Sequence, residues 1–445
     1  MSLNRRAFVT SLIVAGAAGS KLVAQGDGDA DYVVVGSGAG GGTVAARLAE
    51  EGYSVLVLEA GGDPRMPDAA DYDVPAFHPF STENPDMRWD FFVRHYANAT
   101  QQRRDPKFLA ERDGVWYPRA GTLGGCTAHN AMILIAPSNK DWDQLADLTG
   151  DASWRAGEMW KYFQRLEDCH HRPLGRLGHL FGLDGSRHGY SGWLSTEKPL
   201  PAEAIADDQV RRIIARSIGN TLEEFGAPSL ARLEALKDPN DWRVVETDEI
   251  GARFTPLTTD NHQRAGTRER LLAVAKAHPD RLRIELHALA TRVVFDDDNR
   301  AIGVEYQQGD RLYSAHPNAS SAAGATMVAR ARREVILAGG AFNTPQLLML
   351  SGVGDPDVLT KFGIRVRVPL RGVGRNLQDR YEVPVVHRMV RPWSMLDGAT
   401  FTTKDQQYQR WREDRRGIYA TNGTLLAVVQ RSTVGKPLPD LFCYA

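Results

Sequence analysis

Residues 31–59 constrain the fold of this chain more than any other stretch. Asp31-Tyr32-Val33-Val34-Val35 is a run of strand length, rich in β-branched residues, and Gly36-Ser37-Gly38-Ala39-Gly40-Gly41 follows without a break. Helical character runs from Thr43 to Glu51, with Val44, Ala45 and Leu48 on one face, and Gly52 ends it. Ser54-Val55-Leu56-Val57-Leu58 is a second strand, closed by Glu59. A G-x-G-x-x-G loop set between strand and helix is the fingerprint of a dinucleotide-binding βαβ unit. In such a unit Gly36 permits the tight turn, Gly38 lets a pyrophosphate approach the backbone, and Gly41 lets the helix pack on the strand. The helix N-terminus adds amide donors and a positive dipole end. Glu59 stands where a carboxylate can accept hydrogen bonds from both ribose hydroxyls. The unit alone leaves NAD and FAD open. Its place early in the chain, and the Ala60-Gly61-Gly62 that follows, lean to FAD.

Composition excludes several function classes. The 445 residues carry 54 Lys+Arg against 55 Asp+Glu, so the chain is no polybasic nucleic-acid binder and has no dominant acidic tail. Three cysteines, Cys126, Cys169 and Cys443, are too few and too scattered for a disulfide framework. Cys169, His170, His171, His179 and His188 match no ligand spacing of a helix face or ribbon, and no metal site is expected from them. The segment Gly175–Ser191 reads as a loop or lid near an active-site entrance. At the N-terminus, Asn4-Arg5-Arg6-Ala7-Phe8-Val9 precedes an apolar run to Gly19, shorter than the roughly 20 residues of a membrane span. Residues 1–24 resemble a twin-arginine export signal, a route that carries folded proteins. A generic secretory signal or an uncleaved anchor is the alternative. The expectation is an exported, periplasmic protein whose mature chain has no stable membrane span.

A second glycine loop reads Arg119-Ala120-Gly121-Thr122-Leu123-Gly124-Gly125-Cys126-Thr127-Ala128-His129-Asn130-Ala131-Met132. Further on stand Gln263-Arg264-Ala265-Gly266-Thr267-Arg268, Leu289-Ala290-Thr291-Arg292-Val293-Val294 and Gly372-Val373-Gly374-Arg375-Asn376-Leu377-Gln378-Asp379. Another long run spans Gly340-Ala341-Phe342-Asn343-Thr344-Pro345 to Gly352-Val353-Gly354, read as a helix starting at Thr344-Pro345 and stopping at Gly352. Together these stretches resemble the signatures of the glucose–methanol–choline (GMC) flavoprotein oxidoreductases. The resemblance implies an α/β chain (α+β overall) with a Rossmann-like FAD-binding domain of the glutathione-reductase type. That domain is expected over 27–155 and 246–355. A substrate domain with a mixed antiparallel sheet and helices is expected over 156–245 and 356–445, incomplete at its C-terminal end.

The family also implies roles for residues. Leu123, Gly124, Gly125, Asn130 and Ala131 would lie along the flavin, and Ala290 would offer main-chain hydrogen bonds to the adenine. The Gly-Gly-Cys-Thr-Ala-His-Asn run is similar to that of the family's choline oxidases, where the equivalent histidine is bonded to the flavin. His129 is therefore a candidate for covalent attachment, the alternative being an unlinked histidine packed by the dimethylbenzene edge. The expected reaction is FAD-dependent oxidation of a small-molecule alcohol to a carbonyl, with a quinone or cytochrome as acceptor and dehydrogenase favoured over oxidase. A lyase with structural FAD, or a non-catalytic flavin-binding fragment, are the alternatives. The family's C-terminal catalytic histidine run is not found, and neither His262 nor His387 stands in a family motif, so no catalytic residue is assigned. Arg380 stands where the family commonly has histidine, a permanent positive charge near the substrate region that the resemblance implies.

Overall fold

The computed structural model describes residues 24–25, 30–65, 69–198, 207–210, 212, 238–380, 382–433 and 435–444. The expected export signal lies outside the described residues apart from Ala24, which with Gln25 pairs in parallel with Met327 and Val328. Among the described residues, no helix is long and apolar enough to cross a membrane. The chain divides into two compact units, one built from residues 1–67, 81–129 and 267–384, the other from 68–80, 130–266 and 385–445. The seams at 129/130 and 266/267 fall inside the spans assigned above to the FAD domain.

The first unit grows from the run expected at residue 31. Strand β1 (Ala30–Val35) leads into helix α1 (Ala39–Glu50) and strand β2 (Val55–Leu58). The helix begins four residues before the expected Thr43, because Gly38 already serves as its N-cap. Strands β3 (Arg88–Val93) and β4 (Gly114–Ala120) form an antiparallel pair. Helix α2 (Thr267–Ala277) then precedes β5 (Leu282–Glu285), β6 (Ala288–Phe295), β7 (Ala301–Gln308) and the 13-residue β8 (Ala325–Leu337). The consecutive strands read between Arg281 and Tyr306 are thus β5, β6 and β7.

The sheet order is β5-β2-β1-β8-β7-β6. The first four strands run parallel, with Val33 opposite Leu56 and Val335. Beyond β8 the pairing turns antiparallel, so one long strand belongs to both halves of the sheet. Val34 and Val57 pack on one face with Ala45, Ala49 and Leu271. Val33, Val35, Leu56 and Leu58 pack on the other with Val304 and Leu347. Burial on both faces explains why β1 and β2 read as continuous apolar runs rather than alternating ones.

Helix α3 (Gly340–Leu350) corrects the expected start at Thr344. It begins at Gly340 and holds Pro345 in its interior. A proline there removes the one N–H that would reach back to the carbonyl of Ala341, and the helix runs on through that gap.

The second unit pairs the strand Glu167–Cys169 with Leu194–Thr196 in parallel, and places Ala427–Gln430 between Gly251–Arg253 and Leu441–Tyr444. Its apolar core gathers Phe77, Trp411, Ile418 and Tyr419. The stretch expected as a lid carries a helix, Pro173–Leu180.

Candidate functional site

Four glycines of the first loop divide into two physical kinds. Gly36 has φ +96°, and a Cβ there would lie 2.4 Å from the Ala338 carbonyl oxygen. A Cβ on Gly41 would lie 2.0 Å from the Gly36 carbonyl oxygen and 2.9 Å from Ala338 Cβ. These two glycines are therefore demanded by the protein's own packing, which joins α1 to the turn after β8. Gly38 and Gly40 meet no such wall. An added Cβ finds only Gly125 Cα at 3.6 Å from Gly38, and nothing within 4 Å of Gly40. The open side of the loop is the first turn of α1, where helix amides lack intrahelical partners.

The second glycine loop is seated directly against the first. Gly125 has φ +53°, and its missing Cβ would fall 2.6 Å from Gly38 Cα. Ser37 ties the loops together: its Oγ donates to Glu59 Oε2 at 2.5 Å and accepts from Gly124 N at 3.0 Å. Thr267 Oγ1, at the head of α2, lies 3.1 Å from both the Ser37 and Gly124 carbonyl oxygens. Thr127 Oγ1 donates to the Gly124 carbonyl at 2.8 Å. Leu123 sits beneath the loop in the core shared with Val34 and Leu271. The Gly124-Gly125 pair thus comes from a turn pinned by hydroxyls at both ends.

Glu59 is buried, and its carboxylate also accepts from Ser37 N at 3.1 Å and Gly61 N at 2.9 Å. Burial pushes its carboxyl above the ordinary value, and these hydrogen bonds partly oppose the shift. Two carboxylate oxygens have about four acceptor positions, so three bonds leave capacity for a ligand hydroxyl. Nearby, Arg268 grips Asp63 with two bonds, Nε to Oδ1 at 2.7 Å and Nη2 to Oδ2 at 2.8 Å. Burial opposes ionisation of Asp63, but the Arg268 fork outweighs it and holds the carboxyl below its usual range.

His129 is buried and ends the short turn Gly125–Ala128. Its main chain is held from two sides, with N donating to Cys126 O at 3.3 Å and O accepting from Thr82 Oγ1 at 2.9 Å. Ala290 lies on β6, an edge strand, beside a bulge between Ala290 and Arg292 in the pairing with β7. A bulge on an edge strand leaves main-chain groups outside the ladder, which is what binding through the backbone requires.

Asn130 and Ala131 belong to the second unit. Asn130 exposes a polar surface, yet its main-chain O and Oδ1 accept from Arg264 Nη1 at 2.8 and 2.9 Å. Arg264 Nε also donates to the Tyr72 carbonyl at 2.9 Å. Arg264 is thus a fully buried clamp on the segment that follows His129. Arg264 belongs to one of the stretches that resemble the family signatures, and nothing in the sequence around it points to this clamp. Two arginines stand in that run, Arg264 and Arg268, and neither reveals a partner 134 residues away. The Ala131 carbonyl accepts from Asn422 Nδ2 at 2.7 Å. Arg380 is exposed, and its N–H donates to Asp379 Oδ1. His262 is anchored at its main-chain N by Glu197 Oε2, and His387 is exposed.

The arrangement fits a dinucleotide in two ways drawn from the structure itself. One is the open glycine cradle at the N-terminus of α1. The other is a buried carboxylate at the end of β2, on the same strand–loop–helix unit. Gly38, Gly40, Glu59 and the Gly124-Gly125 turn are the residues that would hold it.

Comparison with known proteins agrees. A family model for the GMC oxidoreductases matches residues 16–382. The chain is 27% identical over 413 residues to the oxygen-dependent choline dehydrogenase of Sinorhizobium medicae, with 93% of this chain and 64% of that protein covered. It is 29% identical over 413 residues to oxygen-dependent choline dehydrogenase 1 of Chromohalobacter salexigens, covering 92% and 63%. The chain therefore spans about two-thirds or slightly less of these relatives, 64% and 63% of their lengths. Among solved structures, a formate oxidase variant of Aspergillus oryzae has a TM-score of 0.69 at 24% identity, covering 90% of this chain and 62% of that one. An FAD-dependent oxidoreductase from Chaetomium thermophilum has a TM-score of 0.64 at 24% identity, covering 90% and 62%. With these matches added to the interlocked glycine loops, the chain belongs to the GMC oxidoreductases, a family of FAD-binding flavoproteins.

Proposed function

We propose that this protein oxidises a small-molecule alcohol to a carbonyl compound. The observation that carries the reading is the seating of the Gly124-Gly125 turn against Gly38, which sets a second backbone surface beside the dinucleotide cradle. FAD, when bound, supplies the two-electron acceptor for a CH–OH donor. The chain's own contribution is positional. Ser37 and Thr267 hold the two loops together, Glu59 would accept from a ribose hydroxyl, and the amide end of α1 would receive the phosphates. His129 is the attachment point in this reading, its main chain fixed by Cys126 and Thr82. The protein is exported through the twin-arginine route and hands electrons to a quinone or cytochrome, as a dehydrogenase rather than an oxidase. The choline dehydrogenases among the relatives support an alcohol as substrate.

The test is anaerobic mixing of the flavin-loaded protein with a panel of primary alcohols, choline included. Bleaching of the flavin absorbance supports the reading, and a flavin left oxidised by every alcohol refutes it. Acid precipitation separates the attachment question: flavin that stays with the wild-type pellet and is released from His129→Ala supports the covalent bond. Arg5→Lys/Arg6→Lys in the signal should strand the protein in the cytoplasm; unchanged export defeats the twin-arginine assignment.

A further inference from the structure

The cysteine and histidines whose spacing suggested no metal site are brought together in the second unit. The strand Glu167–Cys169 pairs with Leu194–Thr196, and Cys169 N donates to Gly189 O at 2.9 Å. A Cβ on Gly189 would lie 2.1 Å from the Gln164 carbonyl oxygen, so the segment carrying His188 is pressed against the end of the preceding helix. Cys169, His171 and His188 then place one ligand atom each within 4.8 Å of one another. His170 and His179 stand outside the group. Cys169 Sγ is 3.5 Å from His171 Nδ1 and 3.7 Å from Nε2. A carboxylate from a distant part of the unit joins them: Asp238 Oδ2 is 3.0 Å from His171 Nε2 and 3.2 Å from His188 Nε2.

Two details distinguish this cluster from an ordinary buried hydrogen-bond network. First, His188 Nδ1 lies 2.8 Å from Glu167 Oε2. Donation to that carboxylate turns the Nε2 lone pair toward Asp238, the carboxylate–histidine arrangement that orients metal ligands. In the neutral imidazole that lone pair faces the Asp238 carboxylate oxygen 3.2 Å away, where a cation can take the place of the proton the two groups otherwise share. Second, the spacings suit one small ion. Zinc bonds of about 2.3 Å to sulfur and about 2.0–2.2 Å to nitrogen and oxygen, at tetrahedral angles, separate neighbouring ligand atoms by roughly 3.4–3.6 Å. Cys169–His171, His171–Asp238 and His188–Asp238 are separated by 3.0 to 3.7 Å, and the ligand atoms of Cys169, His171 and His188 all lie within 4.8 Å of one another, a spread that small ligand movements close around an ion. Arg172 Nη1 also approaches Asp238 Oδ2, but at 3.4 Å, while it reaches Asp241 Oδ2 at 2.9 Å. The four side chains are almost wholly shielded from solvent: Cys169 0% exposed, His171 3%, His188 1% and Asp238 2%.

We propose that Cys169, His171, His188 and Asp238 bind one zinc-type divalent ion in a closed tetrahedral site that ties the strand Glu167–Cys169 to residues 188 and 238. The site is structural, since four protein ligands leave no open position for a substrate. Coordination deprotonates Cys169, and that proton leaves to solvent.

The test uses the full chain without a histidine tag, expressed in zinc-supplemented medium and dialysed against metal-free buffer. Cys126→Ser/Cys443→Ser leaves Cys169 as the only thiol. Elemental analysis should find about one zinc per chain. The zinc-edge X-ray absorption should show one sulfur at about 2.3 Å and three lighter ligands at about 2.0–2.2 Å. His188→Ala and Cys169→Ser should lower zinc occupancy at least tenfold. Folded protein that retains no zinc, or zinc with no sulfur neighbour, overturns the site. The absorption measurement needs no ligand substitution, so a misfolded Cys169→Ser leaves the proposal testable.

Discussion

Gly40 and Gly41 are adjacent in one helix turn, yet their replacement by alanine should act in opposite directions. At Gly41 the new methyl would stand 2.0 Å from a main-chain oxygen, that of Gly36, and 2.9 Å from Ala338 Cβ. Ordinary contact needs roughly 3.5 Å, so the loop or the helix must retreat by about 1.5 Å. Neither neighbour is the far end of a flexible side chain. Overpacking of a rigid site costs about 1–3 kcal/mol, and this one belongs at the upper end. The helix-propensity gain of alanine over glycine, about 1 kcal/mol, offsets part of it. The net loss should be about 2 kcal/mol. At Gly40 nothing lies within 4 Å, so only the propensity gain acts, about 0.5–1 kcal/mol of added stability. The assay is urea unfolding of the flavin-free protein, followed by tryptophan fluorescence, so that cofactor binding does not contribute. Gly41→Ala should move the midpoint down and Gly40→Ala up. A Gly41→Ala midpoint equal to or above wild type would refute the division of the loop into packing glycines and open ones.

Other outcomes follow from buried polar groups. Glu59 is raised by burial above its ordinary value of 4.5, so its protonated form favours the folded state. Its contribution is fully present below pH 4.5 and is lost as pH rises through the folded-state value. Unfolding free energies measured from pH 4 to 7 should therefore fall more steeply for wild type than for Glu59→Gln; parallel profiles would contradict this. Asp405 caps the helix Gln406–Asp414. Burial works against its ionisation, but bonds from Tyr419 Oη and from the main chain at Tyr408, Thr400 and Thr402 bring its carboxyl down to about 2. That stability is present above pH 3.8 and drains away as pH falls toward 2. Asp405→Ala should cost about 1–2 kcal/mol at neutral pH and flatten the acid limb, read by denaturant unfolding at several pH values. Arg264→Lys should cost about 3 kcal/mol, since an ammonium cannot reproduce the fork that serves Tyr72 and Asn130. Unfolding curves check this, and a loss below 0.5 kcal/mol would remove the clamp role.

The parts of the fold that were legible in the sequence are those specified by neighbours along the chain. β1, β2 and the strands after Arg281 announce themselves by β-branched runs, and the first glycine loop by its place between strand and helix. The positions of Gly36 and Gly41 were readable because their demand is local steric exclusion. Pro345 misled because a proline usually marks a helix start, whereas here the turn before it is already helical. The contact between Gly38 and Gly125 depends on how two remote turns meet, and no periodicity encodes that. The same holds for Arg264 with Asn130, and for Cys169 with His188 and Asp238. Their ligand-like spacing exists in space and is absent from the sequence.

The parallel pairing of β1 with β8 places Val33 opposite Val335, about 300 residues apart. At a synthesis rate of about 5–20 residues per second, β1 waits roughly 15–60 s on the ribosome before its partner exists. During that interval its open edge and the apolar faces of β1 and β2 have only a fragment of the sheet to cover them. The cofactor cradle is therefore completed only when β8 has been made, about 300 residues after its fingerprint. A chaperone that shields short β-branched strands should act on this protein early, and release it only after residue 337 has emerged.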